Sequence, residues 1–225
     1  MTHGKRYLQA RDRVDLEKEY PLDDAIATLK ELPGPKFDET VELAVSTDLD
    51  PRQADQSIRG TISLPRGTGK TMRVICFCPE DEVEAVVEAG AVEAGGEELV
   101  EKVNEGWMDF DVAVAHPAMM KFVGKLGRLL GPQGLMPSPK SGTVTPDVAQ
   151  AVSEFAAGKI EYRLDANGNL HIPVGKKSFP AEDLKENIEA FVDQVRRNRP
   201  TGARGGFVRR ITVCASMSPG IKVDL

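Results

Sequence analysis

Residues 124–147 concentrate glycine, proline and basic residues, a combination that can direct backbone donors and cations at an anion. It contains five glycines and four prolines, and its cations are Lys125, Arg128 and Lys140. Proline lacks a backbone donor and glycine is conformationally loose, so the composition predicts an ordered loop beside a short helix. Residues 112–159 hold five basic and two acidic residues. Because a loop can direct backbone N–H groups at phosphates, we expect a phosphate contact here.

Two further motifs could carry chemistry but fall short of the patterns it requires. The sequence GTGKT at residues 67–71 ends like a phosphate-binding loop, but position 64 is leucine and an apolar strand follows. It therefore predicts an interdomain crossing and not an NTPase. Cys76 and Cys78 share one side of that strand with only His116 nearby, which is too few residues for a zinc site. The sequence predicts no catalytic residue, no metal and no cofactor.

The two ends of the chain predict a sheet covered by helices. A helix is expected from Leu22 to a stop before Pro33, and residues 40–46 alternate as a strand with one apolar face. Residues 57–64 predict a second strand. Residues 160–164 and 169–172 predict a hairpin around the turn 165–168. One face of a helix is then predicted by the spacing of four apolar residues, Leu184, Ile188, Phe191 and Val195. Residues 207–215 predict the final strand.

The middle of the chain changes pattern. Residues 72–78 and 112–115 are apolar runs typical of buried parallel strands, with helices expected between and after them, at 80–89, around Leu99, from Pro117 and at 146–157. Such alternation predicts a Rossmann-like α/β layer. The fold class is therefore α/β with two domains: residues 1–67 plus 160–225 form an α+β domain, and residues 68–159 form a domain inserted into it. Gly67, Gly69 and Gly158 at the two crossings predict a hinge.

The charge distribution is uneven. The chain has a net charge of −6, whereas a basic balance is typical of phosphate recognition. Residues 68–159 contain 8 basic and 14 acidic residues and carry the whole excess, while residues 196–210 contain six arginines and no acid. The N-terminus has no apolar run of a signal peptide, no segment approaches the length of a membrane span, and three cysteines suggest no disulfide framework. We expect a cytoplasmic protein without a membrane contact.

A collinear set of motifs resembles the ribosomal protein L1 family, the RNA-binding proteins of the mobile stalk on the large ribosomal subunit. The resemblance extends from about residue 3 to residue 225. Besides residues 124–147, the motifs that carry it are KFDETVEL at 36–43, DPR at 50–52, RGTISLP at 59–65, GWMDFD at 106–111, HIPVG at 171–175 and SMSPG at 216–220.

The resemblance implies that one RNA-binding site draws residues from both ends of the chain. Lys36 and Arg52 are expected at phosphates, and Phe37 and Met217 are expected to cover a ribose or base. Ser218 stands where the family usually has glycine, so a strained backbone is expected there. The full set is Lys36, Phe37, Thr40, Glu42, Arg52, Arg163, Asp165, His171, Ser216, Met217 and Ser218. Lys125, Arg128 and Lys140 are expected to make a secondary contact with RNA or tRNA.

The function that the resemblance implies is that of a non-enzymatic protein, monomeric when free, that binds 23S rRNA of the large ribosomal subunit. It further implies a stalk that assists release of deacylated tRNA from the exit site, and repression of the translation of the protein's own mRNA. Two other classes stay open on the residues alone. One is a nucleotide-binding α/β enzyme with a regulatory domain. The other is a protein-interaction adapter that uses the acidic inserted domain.

Overall fold

The computed structural model describes residues 4–53, 55–203 and 206–225, and it separates into two compact units. The terminal unit runs to Gly69 and resumes at Tyr162, and the inserted unit is Lys70–Glu161. The expected boundaries, 67/68 and 159/160, lie within two residues of these. Arg204, one of the six arginines noted above, lies outside the described residues. No helix in the described ranges is long and apolar enough to cross a membrane.

The terminal unit begins with two helices and three strands. Helix α2 starts where two carboxylates, Asp23 and Asp24, favour its N-terminal end, and Lys30 lies in its last turn. The alternation predicted for residues 40–46 is confirmed, because Val41 and Leu43 are fully buried and the residues between them are not. The elements are α1 (Lys5–Arg11), β1 (Glu19–Pro21), α2 (Leu22–Glu31), β2 (Thr40–Thr47) and β3 (Arg59–Ser63).

The inserted unit is a three-stranded parallel sheet between helices, as the apolar runs predicted. Its strands lie in the order β5 (Glu93–Gly95), β4 (Val74–Phe77) and β6 (Val112–Ala115), and every residue of β4 is buried because both faces of the sheet are covered. Two separate clusters of side chains pack on the two faces. Its helices are α3 (Val83–Glu88), α4 (Glu97–Asn104), α5 (Met120–Val123), α6 (Gly127–Gln133) and α7 (Val148–Ala156).

The prediction that residues 124–147 form a loop is wrong for the first ten residues. A 3₁₀ turn at Gly124–Leu126 joins α5 to α6, and Pro132 lies inside α6. Leu126 and Leu130 are fully buried in the core under this segment. Burial of these leucines outweighs the weak helix propensity of glycine, which is why composition alone misled. The remainder is irregular apart from a 3₁₀ turn at Pro139–Ser141.

The chain then returns to the terminal unit and completes its sheet. It adds β7 (Lys159–Arg163), β8 (Asn169–Lys176), β9 (Val208–Ala215) and β10 (Ile221–Asp224). The five strands of the main sheet lie in the order β1-β10-β9-β2-β8, and β3 pairs with β7 in a separate two-stranded sheet. Helix α8 (Ala181–Arg197) confirms the predicted apolar face, since its four spaced residues are all fully buried.

Two sequence predictions about these strands are wrong. The expected hairpin is reduced to one bridge between Leu164 and Leu170, because β8 pairs with β2 while β7 pairs with β3. Strand β9 is also not the last, since β10 adds to it in antiparallel register. The hairpin does not form because the apolar face of β8 is buried in the core when β8 pairs with β2. Strand β10 was missed because four residues are too few for an alternating pattern to identify a strand.

Candidate nucleic-acid interface

Helices α2 and α8 pack on one face of the five-stranded sheet, and the other face carries polar side chains. Residues opposite each other on adjacent strands share a face. From Thr40 to Ser46 this surface extends about 20 Å along β2. We call it the polar face; its residues on the three adjacent strands are Thr40, Glu42, Ala44, Ser46, Asn169, His171, Arg210 and Thr212.

A buried carboxylate organises one end of the polar face. Glu39 is 2% exposed, and its Oε1 accepts a hydrogen bond from the backbone N–H of Met217 at 2.9 Å. Its Oε2 lies 3.3 Å from the Lys177 ammonium, which also donates to the carbonyl of Leu32 at 2.7 Å. Glu39 thus joins the start of β2 to the loop 216–218. Sequence analysis missed this role, although Glu39 lies inside the motif KFDETVEL.

Thr40 and Ser216 hold the same loop from a second side. The Ser216 N–H donates to the carbonyl of Thr40 at 3.1 Å, and the Thr40 N–H donates to the Ser216 hydroxyl oxygen at 3.2 Å. The Lys176 ammonium donates to the Thr40 hydroxyl oxygen at 2.9 Å. Both hydroxyls that were expected to meet RNA therefore already have a partner in the protein. The Thr40 hydroxyl keeps its own proton to donate.

Phe37 and Met217 project from this end of the surface. They are 53% and 49% exposed, so neither belongs to the core. Asp38, next to Phe37, accepts a hydrogen bond from the Ser178 hydroxyl at 2.7 Å and holds that loop in place. Lys36 is exposed beside them. The loop before β2 and the loop 216–218 thus expose an aromatic ring, a thioether and a cation, which are groups that suit a base, a ribose and a phosphate.

The strain expected at Ser218 is not observed. No non-glycine residue among those described has a positive φ. The Ser218 hydroxyl accepts a hydrogen bond from the Ala215 N–H at 2.8 Å and donates to the carbonyl of Pro219 at 3.0 Å. Its side chain is folded back onto its own loop, so a serine here stabilises the turn that presents Met217.

The opposite end of the polar face holds a second group of the predicted residues. The turn after β7 places Asp165 close to β8, and its Oδ2 lies 3.5 Å from His171 Nε2. Arg52 and Arg163 are exposed and line a cavity of about 320 Å³ with Asp165. Partial burial raises the pKa of Asp165, but hydrogen bonds from the Asn169 and Asn167 backbone outweigh it, so the pKa lies below its ordinary value. A carboxylate and three basic groups therefore meet at this end.

The three cations predicted in the inserted unit are all exposed, but they do not share a loop. Lys125 and Arg128 lie on the helical segment, with the Lys125 ammonium 5.7 Å from the centre of the Phe122 ring, and Lys140 lies in the later 3₁₀ turn. Lys121 is also exposed, one turn before Lys125, and sequence analysis missed it. A Cβ added to Gly124, Gly127 or Gly131 would meet nothing within 4 Å. The packing of the chain thus does not explain these glycines.

Residues 29–219 match the family described as Ribosomal protein L1p/L10e. The chain belongs to this family. The matched range includes all eleven residues of the predicted RNA-binding set and the three cations of the inserted unit.

Bacterial members of the L1 family are similar over almost their whole length. The chain is 54% identical over 224 residues to large ribosomal subunit protein uL1 of Fervidobacterium nodosum, covering 99% of this chain and 95% of the relative. It is 52% identical over 223 residues to uL1 of Thermosipho melanesiensis, covering 99% and 96%, and 51% identical over 221 residues to uL1 of Kosmotoga olearia, covering 98% and 96%.

Membership of the L1 family decides between the classes left open by the sequence. This is a family of structural ribosomal proteins, so the chain is not an enzyme. The motif GTGKT leads into β4, and Lys70 pairs with Asp111 at 2.8 Å. Cys76 and Cys78 are fully buried, and burial raises the pKa of both thiols. No group of three metal-ligating side chains occurs within the described ranges.

The three glycines expected to form a hinge all adopt positive φ, at +64° for Gly67, +70° for Gly69 and +104° for Gly158. The first of them is held by α8. The buried amide of Asn187 donates to the carbonyl of Gly67 at 2.9 Å and accepts from the Arg66 N–H at 3.0 Å. Any hinge on this side of the L1-family chain therefore begins after Gly67.

Proposed function

We propose that this chain is a structural protein of the large ribosomal subunit and that its terminal unit anchors it to 23S rRNA. The observation that carries the proposal is the exposure of Phe37 and Met217 within the range that matches the L1 family, with the Met217 backbone held by the buried Glu39. An exposed ring and an exposed thioether are groups that can cover a base or a ribose of a bound RNA. Their supporting hydrogen bonds hold both in place before RNA arrives.

The polar face offers the groups that recognition of folded RNA requires. Folded RNA presents phosphates, 2′-hydroxyls and the edges of unstacked bases. Lys36, Arg52 and Arg163 supply cations for phosphates, while Glu42 supplies a carboxylate acceptor for a 2′-hydroxyl or a base amine. Arg210, which sequence analysis did not single out, is exposed on the same face opposite Ser46. These local cations explain how a chain of net charge −6 would bind a polyanion.

We further propose that the inserted unit contacts exit-site tRNA and assists its release. Lys125, Arg128 and Lys140 are exposed cations in a unit that is otherwise acidic. Beyond the Gly67 carbonyl that Asn187 holds, the positive φ values of Gly69 and Gly158 support a hinge at the two crossings. In this proposal the terminal unit stays on rRNA while the inserted unit moves with the tRNA.

Regulation of translation would use the same surface. A surface that recognises one RNA fold also binds a second RNA that presents the same fold, so we propose that the chain represses translation of its own mRNA. We expect the free protein to be a monomer of the cytoplasm, where ribosomes work.

The first test is a titration of the purified protein with a fragment of the stalk rRNA at several salt concentrations. Tight binding is expected, with an affinity that falls as salt rises, because each neutralised phosphate releases counterions. An unrelated RNA duplex of equal length is the control. Equal affinity for the two RNAs would overturn the proposal of specific anchoring.

A second test separates the roles of the two units. Residues 1–67, joined by a short linker to residues 160–225, should fold and keep most of the rRNA affinity. The reason is that the polar face lies wholly in the terminal unit, whereas the inserted unit carries the excess negative charge. A folded shortened chain that no longer binds the rRNA fragment would show that the inserted unit belongs to the primary site.

A further inference from the structure

A groove lies beside the loop 216–218 and is formed with the first residues of the described chain. Its volume is about 390 Å³, within the range of roughly 300–1,000 Å³ that ligand sites occupy. One wall comes from the start of α1 and the other from the loop that Glu39 holds. The residues that line it are Gly4, Arg6, Tyr7, Ser216, Met217 and Ser218.

We infer that this groove receives one unstacked nucleotide of the bound RNA, with its base between Tyr7 and Met217 and its phosphate at Arg6. The inference rests on the proposed rRNA binding and extends that site to residues outside the matched range 29–219. Tyr7 is half-buried and Met217 is exposed, and both line the groove, so an aromatic ring and a thioether border the space that a base would occupy.

Charge supports a nucleotide as the occupant. Residues 4–14 contain four basic residues and one acidic residue, although the chain as a whole is acidic. Arg6 is exposed at the groove, and the remaining three cations of this segment are also exposed. A concentration of arginine and lysine beside an aromatic ring suits an occupant that joins a phosphate to a base. A purely apolar occupant would leave these cations without a partner.

The loop geometry leaves the groove open. The hydroxyls of Ser216 and Ser218 point to Thr40 and to Ala215, respectively, so neither closes the space between the two walls. Met217 is the exposed apolar side chain of this loop, and it lines the groove together with Tyr7. An RNA strand that covers Met217 can therefore place its next nucleotide beside Tyr7.

The test compares full-length variants in the titration with the stalk rRNA fragment. Tyr7→Ala should weaken binding by roughly ten- to a hundredfold, in line with the loss of one stacked base. Tyr7→Phe keeps the ring and should bind within about twofold of the unaltered protein. Arg6→Gln should reduce the salt slope by about 1, because one phosphate contact is lost. Leu8→Ala removes an exposed apolar side chain of α1 that does not line the groove, so it should change neither quantity.

Irradiation of the complex with RNA that carries photoreactive uridines gives a second measurement. A cross-link to the peptide that contains Tyr7 is expected. If the unaltered protein binds the fragment but Tyr7→Ala and Arg6→Gln bind equally well, the groove does not hold a nucleotide, while the proposed function stands. If the unaltered protein does not bind the fragment, the proposed function itself fails. Should Tyr7→Ala unfold, the Arg6→Gln slope and the cross-link decide the matter.

Discussion

The carboxylate of Glu39 accepts a hydrogen bond from the backbone N–H of Met217, 178 positions later in the chain, at 2.9 Å. Glu39 is buried and Met217 is exposed, so a residue that RNA cannot reach positions one that it can. The candidate interface therefore depends on internal contacts as well as on its surface residues.

Glu39→Ala should weaken rRNA binding without removing any surface group. The loop 216–218 loses its anchor and the Lys177 ammonium, whose side chain is only 16% exposed, loses its ionic partner. Removing one member of a buried pair costs about 3–5 kcal/mol, and the remaining bond to Leu32 should hold the loss near 2–3 kcal/mol. Urea unfolding and the rRNA titration measure the two effects.

Glu39→Gln is the matched variant, because its amide oxygen can still accept from Met217. We expect a stability loss of about 1–2 kcal/mol and an affinity close to that of the unaltered protein. Equal affinity in the alanine and glutamine variants would contradict a positioning role for this carboxylate.

Phe37→Ala and Met217→Ala should each weaken rRNA binding by about 1–3 kcal/mol, because each removes a surface that covers a base or ribose. Both side chains are half-exposed, so the free energy of unfolding should change by less than about 0.5 kcal/mol. Val92→Ala is the control, since Val92 is 57% exposed but lies in the inserted unit. Unfolding of either variant would assign its side chain to the core.

Asp111 should make the inserted unit sensitive to acid. A hydrogen bond from Lys70 is the main cause that lowers the pKa of Asp111 to about 2. Partial burial acts against this shift, and hydrogen bonds from the backbone and side chain of Arg73 add to it. An unfolded aspartate has a pKa of about 3.9, so the stabilisation is complete above that pH and is lost as pH falls toward 2. The partners are half-exposed, and we expect a loss of roughly 1–2 kcal/mol.

The chain has a single tryptophan, Trp107, packed against the core of the inserted unit, so its fluorescence reports acid unfolding there. Asp111→Asn should lower stability by roughly 1–2 kcal/mol at neutral pH and flatten the change between about pH 4 and pH 2. Asp81→Asn, at an exposed carboxylate of the same unit, should leave the curve unchanged. A steep acid transition that persists in Asp111→Asn would rule out Asp111 as its source.

Gly127→Ala and Gly134→Ala should change stability in opposite directions. Gly127 has a helical φ of −56° and open space around an added Cβ, so alanine should stabilise the unit by about 0.4–1 kcal/mol. Gly134 ends α6 with a φ of +75°, where alanine is strained and should cost about 1 kcal/mol or more. Urea unfolding followed through Trp107 measures both. A destabilising Gly127→Ala would mean that this helical segment is not tolerant of a side chain.

Lys125→Ala combined with Lys140→Ala should leave rRNA affinity unchanged and slow tRNA release during translation. Both cations lie in the inserted unit, outside the proposed anchoring surface, and are exposed to an approaching phosphate backbone. Translocation kinetics with ribosomes that carry the variant measure the effect. Glu84→Ala with Glu88→Ala, which alters exposed charge elsewhere in that unit, is the control. Normal kinetics in the lysine variant would leave this segment with a structural role only.

The sequence by itself determined the elements whose periodicity is local. The alternation in residues 40–46, the apolar run of β4 and the spacing of Leu184, Ile188 and Phe191 each follow from which side of one element is buried. The collinear motifs also indicated the family before any geometry was known. These signals lie within a few residues of one another, so no knowledge of the fold is needed to detect them.

Only the tertiary structure decided which distant segments meet. Strand β8 pairs with β2 and not with its neighbour β7. Leu126 and Leu130 are buried despite the surrounding glycines, and Phe37 and Met217 are exposed. Glu39 acquires its role from Met217 and Lys177, both more than 130 positions away. A local sequence pattern shows which side of a helix or strand is buried, but it does not show which segment covers that side. The features above depend on contacts with distant segments, so only the tertiary structure reveals them.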